Sequence, residues 1–278
     1  GCDSGGAPDA RGRAGTPRRV VCGSPAVAEI VFALGCGDRV VGVSDYTCFP
    51  PEARLKPRIG GLVNHNRERL LALRADCIIT QGRHAALAAF AARHEVRLQH
   101  VCLDSLADIL NAVGTVANIM AVSERGAALQ QEIRRALEEV AARRADAPPR
   151  RTLLLLARAP GDMTGLTTVG PGMFLDELLT LAGGSNIFAD ATGAYPQVSK
   201  ETLLVRQPEA VLELHPGGLT GKARARLRAD WAAFADMPAV RHSRVHCLTN
   251  DFLLVPGPRV ARIAQAFADA VNAEAPDE

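Results

Sequence analysis

Short apolar runs rich in β-branched residues alternate with stretches of helical period along most of the chain. RRVVC (18–22), DRVVGVS (38–44), DCIIT (76–80) and RLQHVCL (97–103) read as strands, and PAVAEIVFALG (25–35), NRERLLALR (66–74) and HAALAAFAARHE (84–95) read as the helices between them. That alternation predicts a parallel sheet with helices on its faces. After Asp104 two helical stretches follow one another with no strand between them. The second, from Ser123 to Arg144, places Leu129, Ile133, Ala136, Leu137 and Val140 on one stripe, and at 1.5 Å per residue it reaches about 30 Å. Ser123 and Glu124 give it a capped start, and Ala147-Pro148-Pro149 ends it. Strand and helix signals then resume with TLLLLA (152–157), MFLDELLTLAGG (173–184), SKETLLVR (199–206), EAVLEL (209–214), a charged helix from Lys222 to Phe234, RVHCL (244–248) and a helix after Pro258. The expectation is an α/β chain of two Rossmann-like lobes with parallel central sheets, 19–121 and 148–278. One long rigid helix, 122–147, joins them and leaves a ligand cleft between them. Residues 1–18 carry no periodic apolar position and read as a tether, because they have too little to bury to offset the entropy of ordering.

An internal echo supports the division. Asn66–Ile79 and Ser199–Leu212 share one plan: a capping residue, a glutamate at the second helical position, a Leu-Leu pair, then an acid and a strand. In both, the acid follows the glutamate by eight positions, Glu68 to Asp76 and Glu201 to Glu209. A first-turn glutamate suits the helix dipole without any partner, so spacing alone leaves open whether these two carboxylates also serve as docking points.

Composition narrows the function. With 47% hydrophobic and 22% charged residues in a chain of 278, the protein has ordinary globular usage and enough length for two cores. Lys plus Arg (32) nearly balances Asp plus Glu (30), so the net charge of +2 gives no basic field of the kind that nucleic-acid binding exploits. No nucleic-acid partner is expected. Cys2, directly after Gly1 and ahead of the tether, matches the end of a processed lipobox and marks a candidate lipid anchor; an arbitrary start of the sequence is the alternative. The other six cysteines show no C-x-x-C pair or tight ligand spacing, and Cys22, Cys77 and Cys102 lie in apolar runs as small hydrophobes.

The motifs of common catalytic sites do not fit. HPGGLTGKA (215–223) fails as a phosphate loop, since Pro216 stands where the first glycine belongs and Ala223 where a hydroxyl is needed. The turn after the first strand is CGSPA rather than G-x-G-x-x-G, and neither G-x-S-x-G nor H-E-x-x-H occurs. No catalytic residue, metal ligand or cofactor is assigned. His65, His84 and His215 fall at segment ends, where open α/β sheets collect ligands, and each is a candidate ligand contact or simply a polar loop residue. His242 and His246 flank a short strand pattern and read as its surface residues, and Trp231 lies in a helix that reads as surface.

The run PAVAEIVFALGCGDRVVGVSDYTCFPPEARLKPRIGGLVNHNRERLLALRADCIIT (25–80) resembles the N-terminal signature of the ABC-transporter substrate-binding proteins for cobalamin, haem and ferric siderophores, the group with a helical backbone between lobes. FLDELLTLAGGSNIFAD (174–190), YPQVSKETLLVRQPEAVLEL (195–214) and LLVPGPRV (253–260) are similar to its C-terminal lobe. The likeness runs from about Arg19 to Asn272. It implies a periplasmic or cell-surface, lipid-anchored, monomeric protein that captures a metal chelate and hands it to a permease dimer in the inner membrane. The glutamates matching the family's permease contacts are Glu68 and Glu201, and two carboxylates at fixed positions would select one docking orientation. Cobalamin binders are the nearest in pattern: Tyr46, Tyr195, Asp251 and Phe252 match their site-facing positions, with Gln81, His65, His84 and His215 as lesser contacts. Leu62 and Gln81 depart from that pattern by standing where tryptophans would, and a tyrosine that haem binders offer to iron near Leu62 is absent. A ferric-siderophore binder is the alternative, with Arg83 and Arg158 as its basic residues. A metal-dependent enzyme using the three histidines is the alternative of another class.

Overall fold

A computed structural model describes residues 15–61, 64–143, 148–159, 161 and 163–273. Cys2 and Leu62 lie outside the described residues. The chain divides into two compact units. Unit 1 takes the chain to Arg134 together with Val255–Pro258, and unit 2 takes Arg135–Leu254 and the chain from Arg259. In unit 1, β1 (Val20–Cys22), α1 (Pro25–Ala33), β2 (Val40–Val43), α2 (Pro51–Arg54), α3 (Arg67–Ala72), β3 (Cys77–Gln81), α4 (Ala85–Arg93), β4 (Arg97–Val101) and α5 (Leu106–Ile119) follow in order. The division between the units falls inside α6 (Ser123–Ala142), the predicted long helix, which runs 20 residues.

The four strands of unit 1 are ordered β2-β1-β3-β4 and are all parallel. Helices cover a sheet of this kind on both faces, which is why VVC and CIIT read as continuous apolar runs rather than alternating ones. Val21, Ile78 and Leu98 pack with Leu70 of α3 and Leu87 and Phe90 of α4 into one core. Cys22 and Cys77 are buried in this sheet, as expected of small hydrophobes, and burial pushes the Cys77 thiol up to about 12. The side chain of Ser24 caps α1 by accepting from Val27 N–H at 3.3 Å, and Ser105 with Asp108 forms a capping box on α5.

Unit 2 contains β5 (Arg150–Ala157), β6 (Leu166–Thr168), α7 (Phe174–Leu181), β7 (Gly184–Asn186), β8 (Gln197–Val198), α8 (Lys200–Arg206), β9 (Ala210–Leu214), α9 (Gly221–Asp230), α10 (Pro238–Arg241), β10 (Val245–Leu248) and α11 (Val260–Val271). Its sheet has the order β10-β9-β5-β6-β8, with β7 also on β5. Here the expectation of a parallel sheet needs correcting, because β5–β6 and β6–β8 are antiparallel while β10–β9, β9–β5 and β5–β7 are parallel. The reason is chain length: only residues 158–165 separate β5 from β6, too few for a crossover of a dozen residues, so the chain turns straight back.

The echo seen in the sequence is a structural repeat. Asn66 caps α3 by accepting from Arg69 N–H, and Ser199 caps α8 by accepting from Thr202 N–H. Each helix is followed by one residue in the left-handed region, Arg74 (φ 44°) and Gln207 (φ 47°). The acid then turns back onto the first strand of its unit. Asp76 accepts from the N–H groups of Arg18 (2.8 Å) and Arg19 (3.0 Å), and Glu209 accepts from Arg151 N–H (3.0 Å). The arginines return the contact: Arg19 donates to Leu73 O at 2.8 Å, and Arg151 donates to Arg206 O at 2.7 Å. The repeat also sorts the leucine pair. Leu70 and Leu203 are buried, whereas Leu71 and Leu204 are 47% and 45% exposed. Truncating Leu70 or Leu203 to alanine is therefore expected to cost about 2–5 kcal/mol, and the same change at Leu71 or Leu204 to stay within about 0.5 kcal/mol. Urea unfolding of the four variants checks this, and equal losses within either pair would break the correspondence between the halves.

Candidate functional site

Four of the residues singled out in the sequence come together in unit 1. β2 ends at Val43, and Asp45 clasps the incoming loop: its N–H donates to Gly60 O (2.9 Å) and its carboxylate accepts from Gly60 N–H (3.0 Å). The clasp sets the Tyr46 ring beside Gly61, where an added Cβ would stand 3.3 Å from Cε2. Gly60 then pairs with His65 in an isolated antiparallel bridge. Only glycine fits there, since φ is +98° and a Cβ would lie 2.2 Å from Asn64 O. His65 meets His84 edge to face, with ring centroids 5.9 Å apart. His84 Nε2 is 2.9 Å from Gln81 O at the end of β3. Tyr46, His65, His84 and Gln81 thus form one chain of contacts beyond the carboxyl ends of β2 and β3. This is the place where open parallel sheets collect ligands.

Tyr46 is 71% exposed, a large aromatic face held toward solvent. His65 lines a cavity of about 570 Å³ together with Asp45, Asn64, Asn66, Arg69 and Phe90. Asp45 and Asn64 went unremarked in the sequence, because a loop acid and a loop amide carry no period. Burial, and then the neighbouring His84, hold the His65 pKa below the ordinary histidine value.

Unit 2 distributes its candidates more widely. His215 follows β9 and its N–H donates to Leu248 O of the adjacent β10 (2.8 Å), so His215 and the Asn250–Phe252 turn share the carboxyl edge of neighbouring strands. Asp251 accepts from Arg259 Nη1 at 3.1 Å, and the same guanidinium lies 5.6 Å over the Phe252 ring. Phe252 also lines a second cavity, of about 550 Å³, with His246, Leu248 and Arg262. Tyr195, 49% exposed, precedes β8 at the opposite edge of the sheet from β10.

Two expectations for unit 2 are overturned and a third is qualified. Trp231 is not a surface residue: it is buried, and its indole N–H donates to Glu213 Oε2 at 3.0 Å. Arg158 is not available to an anionic guest, because its buried guanidinium donates to Glu213 Oε1 and Asp230 Oδ2, both at 2.7 Å, and to Leu227 O. Burial draws its pKa down, and the bonds to Asp230 and Glu213 outweigh that and hold it above the ordinary value. His246 is only partly exposed on its strand, and its Nε2 is buried without a hydrogen-bond partner among the described residues. His242 is exposed, as expected. His215 Nε2 lies 3.1 Å from Glu213 Oε1 but off the line a hydrogen bond requires, so the two groups are close without being hydrogen-bonded.

Comparison with known proteins adds to this geometry. The model of the periplasmic binding protein family matches residues 20–252. The chain belongs to the periplasmic binding protein family. It is 30% identical over 247 residues, 87% of this chain and 84% of the relative, to the vitamin B12-binding protein of Vibrio cholerae serotype O1. The crystal structure of the periplasmic vitamin B12 binding protein of Vibrio cholerae aligns with a TM-score of 0.78 at 28% identity, covering 92% of this chain and 97% of that one. A periplasmic haem-binding protein of Pseudomonas aeruginosa aligns at 0.77 with 26% identity, covering 92% of each chain. Family membership fixes the class: these are substrate-binding transport proteins, and the family's two-lobe α/β fold is the one found here. No helix among the described residues is long and apolar enough to cross a membrane.

Within this periplasmic binding protein, Glu68 and Glu201 occupy matching places at the second position of α3 and α8, both exposed. Hydrogen bonds from its own backbone N–H and from Ser199 hold the Glu201 carboxyl below its ordinary value.

The buried imidazoles make stability depend on pH. For His246 as for His65, burial lowers the pKa, and Arg150, Arg228 and Arg244 push His246 further the same way. Below the ordinary histidine pKa of about 6.5 the unfolded chain binds more protons than the fold, so the stability from both groups is complete above that pH and is lost as pH falls through the lowered values. Urea midpoints are therefore expected to fall between pH 7.5 and 5.5, and to fall less in His65→Gln and His246→Gln. A variant with the same slope as the parent would show that its imidazole does not contribute.

Proposed function

We propose that the chain is the substrate-binding component of an ABC importer that captures a corrinoid, with cobalamin as its first candidate, and delivers it unaltered to a permease. The observation that carries this is the 30% identity, over 87% of the chain, to a protein whose name is vitamin B12-binding protein. The exposed Tyr46 and Tyr195 support it from the geometry, since each offers an aromatic face to a bulky, largely apolar guest at small entropic cost. Tyr46, Gln81, His65 and His84 from unit 1 and Tyr195, His215, Asp251 and Phe252 from unit 2 are the assigned contacts. The ferric-siderophore reading loses one of its two basic residues, because Arg158 is committed to Glu213 and Asp230. The protein acts as a periplasmic monomer tethered through Cys2, and Glu68 and Glu201 meet basic residues of a permease dimer in the inner membrane.

Calorimetric titration with cyanocobalamin and a panel of ferric siderophores and haem tests the ligand. Saturable binding of the corrinoid is expected, weakened about tenfold or more by Tyr46→Ala. Preference for a ferric chelate would replace the reading, and zinc or iron found by elemental analysis of the purified protein together with turnover would favour an enzyme.

Docking is tested separately. The double change Glu68→Lys and Glu201→Lys is expected to abolish uptake in proteoliposomes while leaving ligand affinity unchanged. A collapse of affinity instead would place those carboxylates in the binding site.

A further inference from the structure

His65 and His84 have a relationship that capture of a chelate does not require. His65 Nε2 is buried and, among the described residues, has no hydrogen-bond partner. A buried polar atom of this kind calls for a specific explanation, of which a bound ion is one. Its neighbour is prepared in a complementary way. His84 Nε2 lies 2.9 Å from Gln81 O, and a carbonyl oxygen only accepts, so this bond places a proton on Nε2 and leaves Nδ1 as the nitrogen able to offer a lone pair. A ring that donates its other N–H to a backbone carbonyl is the usual arrangement around a metal-ligating histidine.

The spacing fits as well. A metal about 2.0–2.1 Å from an imidazole nitrogen stands about 3.2 Å from the ring centroid, so two rings on one ion have centroids no more than about 6.4 Å apart. The observed 5.9 Å lies within that reach, with the ring planes inclined at 64°. Both rings sit on segments fixed by backbone: His65 by its bridge to Gly60, and His84 as the residue that opens α4 directly after β3.

We propose that His65 and His84 bind a divalent d-block cation of the borderline class, such as Zn²⁺ or Ni²⁺, through their imidazole nitrogens, with water or a donor atom of the guest completing the coordination. Imidazole is the donor that these ions favour. This binding does not depend on which chelate the protein transports.

Titrating chelator-stripped protein with zinc chloride in the calorimeter at pH 7.5 tests the proposal. One equivalent is expected to bind, with affinity reduced about tenfold or more in each of His65→Gln and His84→Gln. His94→Gln, which alters an exposed imidazole packed on Phe90, is expected to change nothing. Zinc is also expected to raise the Tm of the parent and not that of His84→Gln, which keeps the test intact should His65→Gln fold poorly. Parental affinity in either glutamine variant, loss of binding on Cys48→Ser instead, or no heat and no rise in Tm in the parent would each overturn it.

Discussion

The central strand of a sheet has to begin where backbone N–H groups have not yet gained a strand partner. Both halves of this protein meet that constraint with one device: an acid ten residues after a helix N-cap, Asp76 after Asn66 and Glu209 after Ser199, turned onto the N–H groups that precede or open the first strand. Hydrogen bonds to an ionised acceptor are the stronger kind. Each acid also follows a left-handed residue that swings the chain out of its helix. The helix, the turn and the next strand therefore come as one rigid piece, and the exposed glutamate of each first turn is carried by it. The matching of Glu68 and Glu201 follows from how each sheet is started, whatever either carboxylate meets.

At the other end of the strands the constraint is reversed, because carbonyl ends and loops must be closed without another strand. Unit 1 closes them with polar side chains of modest size: Asp45 on Gly60, His84 on Gln81 O, and His100 Nδ1 on Gly82 O at 2.7 Å. This edge is consequently rich in polar donors and acceptors of fixed direction, with Tyr46 standing out from it as the apolar face. A guest with a broad apolar body and polar rim suits such an edge better than a compact ion alone does.

The parts of the molecule read correctly from sequence are those governed by local pattern. VVC, CIIT and AVLEL announce buried strands because at most one residue in each is polar, and Asn66 and Ser199 announce caps because a side-chain oxygen ahead of a helix has one obvious use. The misreadings share a physical cause: their meaning depends on partners far along the chain. Arg158 is a loop cation until Glu213 and Asp230, 55 and 72 residues later, enclose it. Trp231 looks like part of a charged helix until its indole finds the same glutamate. The turn into β6 was invisible as such because a three-residue strand carries too little period to show its direction.

That buried cluster decides what holds α9. The helix buries no side chain, and its cations at 222, 224, 226 and 228 set Lys222 against Arg226 and Arg224 against Arg228 at a spacing where like charges disfavour helix. Its contacts are polar and gather toward its ends: Thr220 accepts from Ala223 N–H at the start, Arg224 donates to Thr249 Oγ1 at 3.4 Å, and Arg158 grips Leu227 O and Asp230 at the finish, with Trp231 buried one residue beyond. Glu213 is the shared partner of Arg158 and Trp231 and the near neighbour of His215. A guest contact at His215 is thus one carboxylate away from the chain's single tryptophan. Emission from Trp231 then reports the state of the Glu213 carboxylate and the seating of α9, and reports occupancy only so far as His215 disturbs them.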